Sequence, residues 1–357
     1  MPDLEKIMSV ASADIEKIMG VARADIEKVM GVTMPSLSDW KGSRAIIFGG
    51  NYYTAAGQGR SADTTQYKTL TTDGNTTVSA DLADLNHSAA GSGSNGVRIV
   101  YAGGTKYWSG TNTGNHTEIQ YMVAASTGSV GEAGDLNVGS DAGGRDGSSN
   151  GTLCFFVGGN GLQANMEQMN ISTTSGSTNA GDIDGGATAN AMTSNGDSKF
   201  LIMGIGTSGG RTAVDQHNFS TSADSSGYGS VATVDIGAGG AVCATNRVVC
   251  AGNAAHSTRM HFFPVASSAD SDSSDSADLI TAATGQCATS DGTRGEWYGG
   301  DISGGGMKSD IQKVTIASLS NATDIGDLQT PESATDRWTD SDPYGIVYAS
   351  AQTGILA

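Results

Sequence analysis

The chain has 357 residues, with 52 Gly, only 5 Pro, 37% hydrophobic side chains and a formal net charge of −18. A chain with no basic face cannot displace counterions from a phosphate backbone, and no apolar run reaches membrane-spanning length, so neither nucleic acid nor membrane insertion is expected. The amino terminus also lacks the basic-then-apolar order of a secretory signal, and the turn-rich composition points to many short strands in a soluble protein.

Residues 1–34 form a separate module of three copies with a period of 11: Asp3-Leu4-Glu5-Lys6-Ile7-Met8, Asp14-Ile15-Glu16-Lys17-Ile18-Met19 and Asp25-Ile26-Glu27-Lys28-Val29-Met30. The pattern predicts short helices, with Asp14 and Asp25 as caps and Gly20 and Gly31 as stops. A continuous, slightly right-handed supercoiled helix is the alternative, because 11 residues nearly complete three turns. Either form leaves Ile, Met and Val side chains that so short a segment cannot bury by itself. Residues 1–34 are therefore expected to anchor the chain on a larger body or to make a homo-oligomer, a trimer among the assemblies allowed. Residues 35–43 read as a linker, and residues 44–357 as the main domain.

From residue 44 onward one grammar repeats six times. A second strand ends in glycine at Gly49, Gly103, Gly158, Gly204, Gly252 and Gly299, with spacings of 54, 55, 46, 48 and 47 residues. A third strand carries Gln66, Gln120, Gln168, Gln216 and Gln312, with Met260 at the fifth place. A fourth strand ends in an acidic-aliphatic pair: Asp81-Leu82, Asp135-Leu136, Asp182-Ile183, Asp235-Ile236, Asp278-Leu279 and Asp327-Leu328. Four short strands in roughly 45 to 50 residues are the period of a propeller blade, so the fold class expected is all-β, a six-bladed propeller. Seven blades with the last incomplete is the alternative. Ring closure is expected from residues 333–338 acting as a first strand, with the run Gly345–Ser350 packed alongside or against a neighbour chain.

The connections between second and third strands are longest in repeats one and two, Asn51 to Asp63 and Thr105 to Asn115. They hold Tyr52, Tyr53, Tyr107 and Trp108 in a chain that is only 6% aromatic. Flat rings beside Asn and Ser suit sugar faces, so these four are the candidate ligand-binding residues; a packing role that staples the loops to the sheet is the other reading.

The four cysteines fall within predicted strands. Cys243 and Cys287 take equivalent places in AVCATN and GQCATS, and reduced core thiols are expected, with a Cys243–Cys250 disulfide across a hairpin as the alternative. His87, His116, His217, His256 and His261 are scattered, with His217 and His261 at the place of Tyr67, Tyr121, Met169 and Lys313. Asp270, Asp272, Asp275 and Asp278 lack the Gly and distal Glu of a calcium loop. Ser290-Asp291-Gly292-Thr293 begins like a sialidase-type box, yet Trp297 comes one strand too late. No catalytic residues, metal or cofactor are expected, and the chain reads as a non-enzyme.

The small-residue strand, the strand ending in Gly-Gly, the Gln-bearing strand and NATDIGDL, closest over Cys287 to Leu328, resemble the kelch-like propeller repeats of bacteriophage virion proteins. The ADIEKIMGV-type copies resemble the short repeats that precede such domains. The resemblance implies a virion structural protein of tail-fibre, capsid-fibre or decoration type, assembled in the host cytoplasm and exposed extracellularly. It would be joined to other virion proteins through residues 1–34 and would present the propeller to a host cell-surface glycan. A glycan-processing enzyme on a propeller scaffold and a non-viral kelch-type adaptor remain the alternatives, since fold alone does not choose among them.

Overall fold

The protein is seen here as a computed structural model, which describes most of residues 44–329 apart from some connecting loops. It also describes Ser350–Gln352 and four two-residue strands between Lys17 and Thr33.

Six antiparallel four-stranded sheets make the six blades of a β-propeller, as the repeats lead one to expect. Blade one holds Ser350–Gln352, Arg44–Phe48, Thr64–Thr69 and Thr77–Asp81, from the innermost strand outward. Blade two holds Gly91–Ser94, Arg98–Ala102, Glu118–Val123 and Gly131–Asp135. Blade three holds Arg145–Ser149, Leu153–Gly158, Asn165–Asn170 and Thr178–Asp182. Blade four holds Ala191–Ser194, Lys199–Ile205, Ala213–Asn218 and Ser226–Ser230. Blade five holds Gly240–Ala244, Arg247–Ala251, Arg259–Pro264 and Ser274–Asp278. Blade six holds Cys287–Ser290, Arg294–Tyr298, Asp310–Thr315 and Thr323–Asp327.

The ring closes differently from the expectation. Ser350–Gln352, not residues 333–338, supplies the first strand of blade one, pairing Ser350 with Phe48 and Gln352 with Ile46. It lies between Cys287–Ser290 and Gly91–Ser94, completing a ring of six innermost strands. The innermost strands are rich in Gly, Ala, Ser and Cys, and Ala349-Ser350-Ala351-Gln352-Thr353-Gly354 shares that character with Cys287–Gly292.

Second strands read as continuous apolar runs because neighbouring blades cover both of their faces; Phe155, Phe156 and Val157 are all fully buried. The core is accordingly divided among the blade interfaces. Phe48 stacks on Tyr101 at 5.0 Å between blades one and two. Phe155, Phe200 and Phe219 pack between blades three and four. Innermost strands are joined by serine hydroxyls: Ser149 Oγ donates to the Ser94 carbonyl at 2.8 Å and Ser194 Oγ to the Ser149 carbonyl at 2.7 Å.

All six repeat glycines, Gly49, Gly103, Gly158, Gly204, Gly252 and Gly299, have φ between 55° and 83°, a region that disfavours any residue with a Cβ. The repeated glutamine needs correction. Opposite the residue two before each of these glycines stand Gln66, Gln120, Glu167, Asp215, His261 and Gln312, all buried. Gln168, Gln216 and Met260 each sit one place off this ring. In blade four the acidic-aliphatic pair is likewise Ser230-Val231 rather than Asp235-Ile236, since Ser230 pairs with Ala213 as Asp278 pairs with Arg259.

The buried ring explains the repeat. In four of the blades its member accepts the backbone N–H that follows the preceding blade's fourth strand. Asn137 donates to Glu167, Asp184 to Asp215, Ile280 to Gln312 and Gln329 to Gln66, at 2.6–3.1 Å. On the opposite face a basic residue opening the second strand reaches the turn of the next blade. Arg98 donates to the Ile171 and Thr173 carbonyls, and Arg247 to those of Ile316 and Ala317. Each of these arginines also stacks on its own third strand, over Tyr121 and Phe262. The markers that reveal the repeat are therefore the contacts that join one blade to the next.

Five outermost strands, TVSAD, GEAGD, TNAGD, SDSAD and TDIGD, carry a carboxylate, whereas SGYGS of blade four has none. Blade four is the one whose edge is covered, by the parallel strand Ser271–Asp272. Charge or cover at every such edge is what keeps sheets from pairing with other chains.

Of the segment 1–34 expected to be helical, the described parts are extended: Lys17–Ile18 pairs with Val21–Ala22, and Lys28–Val29 with Val32–Thr33. β-branched Ile18, Val21, Val29 and Val32 suit that ladder better than a helix. The rest of the helical expectation, and the linker 35–43, lie outside the described residues.

Candidate ligand-binding face

Strand direction divides the disc into two faces. Each second strand runs toward one face, where its repeat glycine stands, the third returns, and the fourth runs toward that face again. The connections after the repeat glycines therefore share one face with the fourth-strand ends, while Arg44, at the start of its strand, lies on the opposite face. The propeller's first described residue, Arg44, therefore stands on the side away from those connections.

Three of the connections are built into hairpins: Asn51–Tyr53 with Gly59–Ser61, Thr105–Trp108 with Thr111–Asn115, and Asp301–Ile302 with Gly306–Met307. They belong to blades one, two and six, which are consecutive around the ring. The hairpins of blades one and two lie side by side, Thr105–Trp108 next to Gly59–Ser61. All four candidate residues fall on these strands, Tyr52 and Tyr53 on the first and Tyr107 and Trp108 on the third. The blade-six hairpin was missed from sequence, although the turn run Ser303-Gly304-Gly305 between Ile302 and Met307 is a hairpin signal.

Other sequence candidates do not converge. His116 Nδ1 is 3.0 Å from Glu118 Oε2. His217 is buried against Phe155 and Phe200 with Nε2 2.8 Å from the Ala223 carbonyl, and burial holds its pKa down. His217 and His261 are not equivalent to each other, nor to Tyr67 and Tyr121: His217 matches Lys68, and His261 matches Gln66. His87, His256 and Asp270 lie outside the described residues. The acidic string divides between blades, Asp272 on the edge of blade four and Asp275 and Asp278 on blade five. Among the described residues, no three His, Cys, Asp or Glu side chains gather as a metal site.

Asp291 accepts the N–H groups of Thr293 and Arg294 at 2.8 and 2.7 Å and so closes an ordinary turn between the first two strands of blade six. The four cysteines are free and buried. Cys243 and Cys287 are not equivalent: Cys243 pairs with Val248 and matches Ser290, while Cys287 pairs with Tyr298 and matches Gly240. Cys250 pairs with Ala241, and burial pushes its thiol up to about 12.

Two acids stand out, Asp146 half-buried and Glu296 fully buried. Asp146, on the first strand of blade three, accepts the Gly147 N–H and, across the interface, the Met192 N–H at 2.6 Å; burial raises it to about 7. Glu296 accepts the Tyr298 hydroxyl at 2.6 Å and both carboxyl oxygens meet Lys68 Nζ at 2.9 and 3.2 Å. Burial raises Glu296, while Tyr298, Lys68 and Arg294 pull it down. Each acid ties one blade to the next, so the buried polar chemistry is committed to the framework.

No protein-family model matches the chain, and no curated protein matches its sequence. Solved structures do match. The structure of YjhT is similar with a TM-score of 0.58 and 13% identity, over 80% of this chain and 97% of that one. Likeness at that identity shows the propeller fold alone.

Proposed function

We propose that the protein is a bacteriophage virion structural protein that displays a six-bladed propeller for adhesion to a host-surface glycan. The observation that carries this reading is the placement of the hairpins. Three consecutive blades raise them on the face opposite the one on which Arg44 begins the first blade. An anchor on one side and a built-up, aromatic-rich surface on the other is the arrangement an adhesive head requires. The resemblance of the repeats and of the 11-residue copies to phage virion proteins supports the virion setting. The buried ring of blade contacts supports a binding module over an enzyme, because it leaves those carboxylates already hydrogen-bonded within the framework.

Tyr107→Ala and Trp108→Ala test the reading when made singly, since successive strand positions alternate between the faces of a ladder. At least one is expected to weaken adsorption to host cells by about tenfold or more, the value of a stacked ring, while the thermal midpoint stays within about 2 °C. A marked fall in midpoint with adsorption intact would reduce the rings to a packing role.

A further inference from the structure

The seam between the hairpins of blades one and two brings together more than aromatic residues. Arg60 stands opposite Tyr52 in the blade-one ladder, on strand Gly59–Ser61. Lys106 stands opposite Gly114 in the blade-two ladder, beside a register shift at Lys106/Tyr107 and on strand Thr105–Trp108. These two strands are the ones that lie side by side. Residues 51–61 and 105–115 contain no Asp or Glu, in a chain with 37 of them against 19 Lys and Arg. The same face is rimmed by the fourth-strand ends, where Asp81, Asp135, Asp182, Asp278 and Asp327 stand. The blade-six hairpin carries Asp301, with Lys308 at its base. The seam is thus a cationic island in an acidic surround.

We infer that this seam binds an anionic saccharide, with Arg60 and Lys106 as the countercharge and the neighbouring Tyr52, Tyr53, Tyr107 and Trp108 as stacking surfaces. The inference rests on the glycan-adhesion reading and narrows it to a charge class. A neutral sugar would need no cations here, and the net field of a −18 chain disfavours anions unless cations are supplied locally. Two cations on adjoining strands that carry no carboxylate oppose that field locally, and a guanidinium matches a carboxylate or a phosphate in two-point geometry. Both anions share this chemistry.

The test uses the full chain and matched saccharide pairs differing only in charge: neutral, uronic-acid-bearing and phosphate-bearing. Binding is measured at about 50 and about 500 mM salt, where screening lengths differ severalfold. The acidic member of a pair should bind about tenfold tighter at low salt and lose most of that advantage at high salt. Arg60→Gln and Lys106→Gln should each remove about tenfold, with the thermal midpoint unchanged, whereas Arg259→Gln on blade five should remove nothing. The uronic-acid and phosphate arms identify which anion is preferred, and either preference supports the inference. Should a variant fold poorly, the salt titration of the unaltered chain still decides. Equal or tighter binding of the neutral member overturns the inference and leaves adhesion standing. Adsorption to cells with no saccharide bound also overturns it. Failure to bind either saccharides or cells overturns the adhesion reading as well.

Discussion

Glu296→Ala should lower the unfolding free energy by about 3–5 kcal/mol, the cost of stranding one partner of a buried ion pair. Glu296 and Lys68 are almost fully excluded from solvent, and they join blade six to blade one. Removing the carboxylate leaves the Lys68 ammonium with the Thr69 and Thr72 carbonyls and no countercharge, and leaves the Tyr298 hydroxyl without its acceptor. Lys68→Met in the same background should recover much of the loss, because a buried pair replaced on both sides by apolar groups is often near neutral. A denaturant double-mutant cycle should therefore give a coupling of about 2 kcal/mol or more. Single variants that cost under about 1 kcal/mol would show that the pair does not hold the seam.

Truncation before Ser350 should have an effect of similar size or larger. The three residues lost as a strand cover Ile46, Ile47 and Phe48, each fully buried, and their removal exposes an apolar, unpaired edge. Burial of one such side chain is worth about 1.5–3 kcal/mol, so partial exposure of three costs about 3–6 kcal/mol. The truncated chain should lose its cooperative thermal transition or aggregate on a sizing column. A peptide of residues 345–357 added in trans should restore the transition. A truncated chain that stays monomeric with an unchanged midpoint would contradict closure by this strand.

The seam between blades six and one has reason to be reinforced. Blades two to six each take their four strands from one stretch of chain, whereas blade one takes its innermost strand from Ser350–Gln352 and the other three from residues 44–81. Beyond the ion pair, Gln66 and Gln329 exchange two hydrogen bonds of 2.9 and 2.8 Å, Gly74 N–H bonds the Ile325 carbonyl, and Arg294 reaches Leu70 and Asp73.

How far the sequence led depended on the physical job of each marker. The repeat glycines were legible because a positive φ tolerates little else, and they located all six blades. The third-strand marker was misread because the interface needs a buried acceptor rather than glutamine as such. Glu167, Asp215 and His261 fill the place in three blades, and a search for one letter settled on Gln168 and Gln216 nearby. Closure by Ser350–Gln352 was obscured because a short run of weakly apolar residues after the more apolar Ile346-Val347-Tyr348 looks weaker than its neighbours; yet the innermost strands are the ones richest in small residues. The loop aromatics were legible as an excess, but their pairing into adjacent hairpins depends on which blades are neighbours, and only the closed ring shows that.

The most direct test of the account replaces residues 51–61 and 105–115 by short Gly-Asn turns and measures adsorption of the purified chain to host cells beside its thermal midpoint. Hairpins placed outside the blade contacts predict a midpoint within about 2–4 °C of the unaltered chain and adsorption reduced to background. Adsorption that survives loss of both hairpins would contradict a binding face on blades one and two.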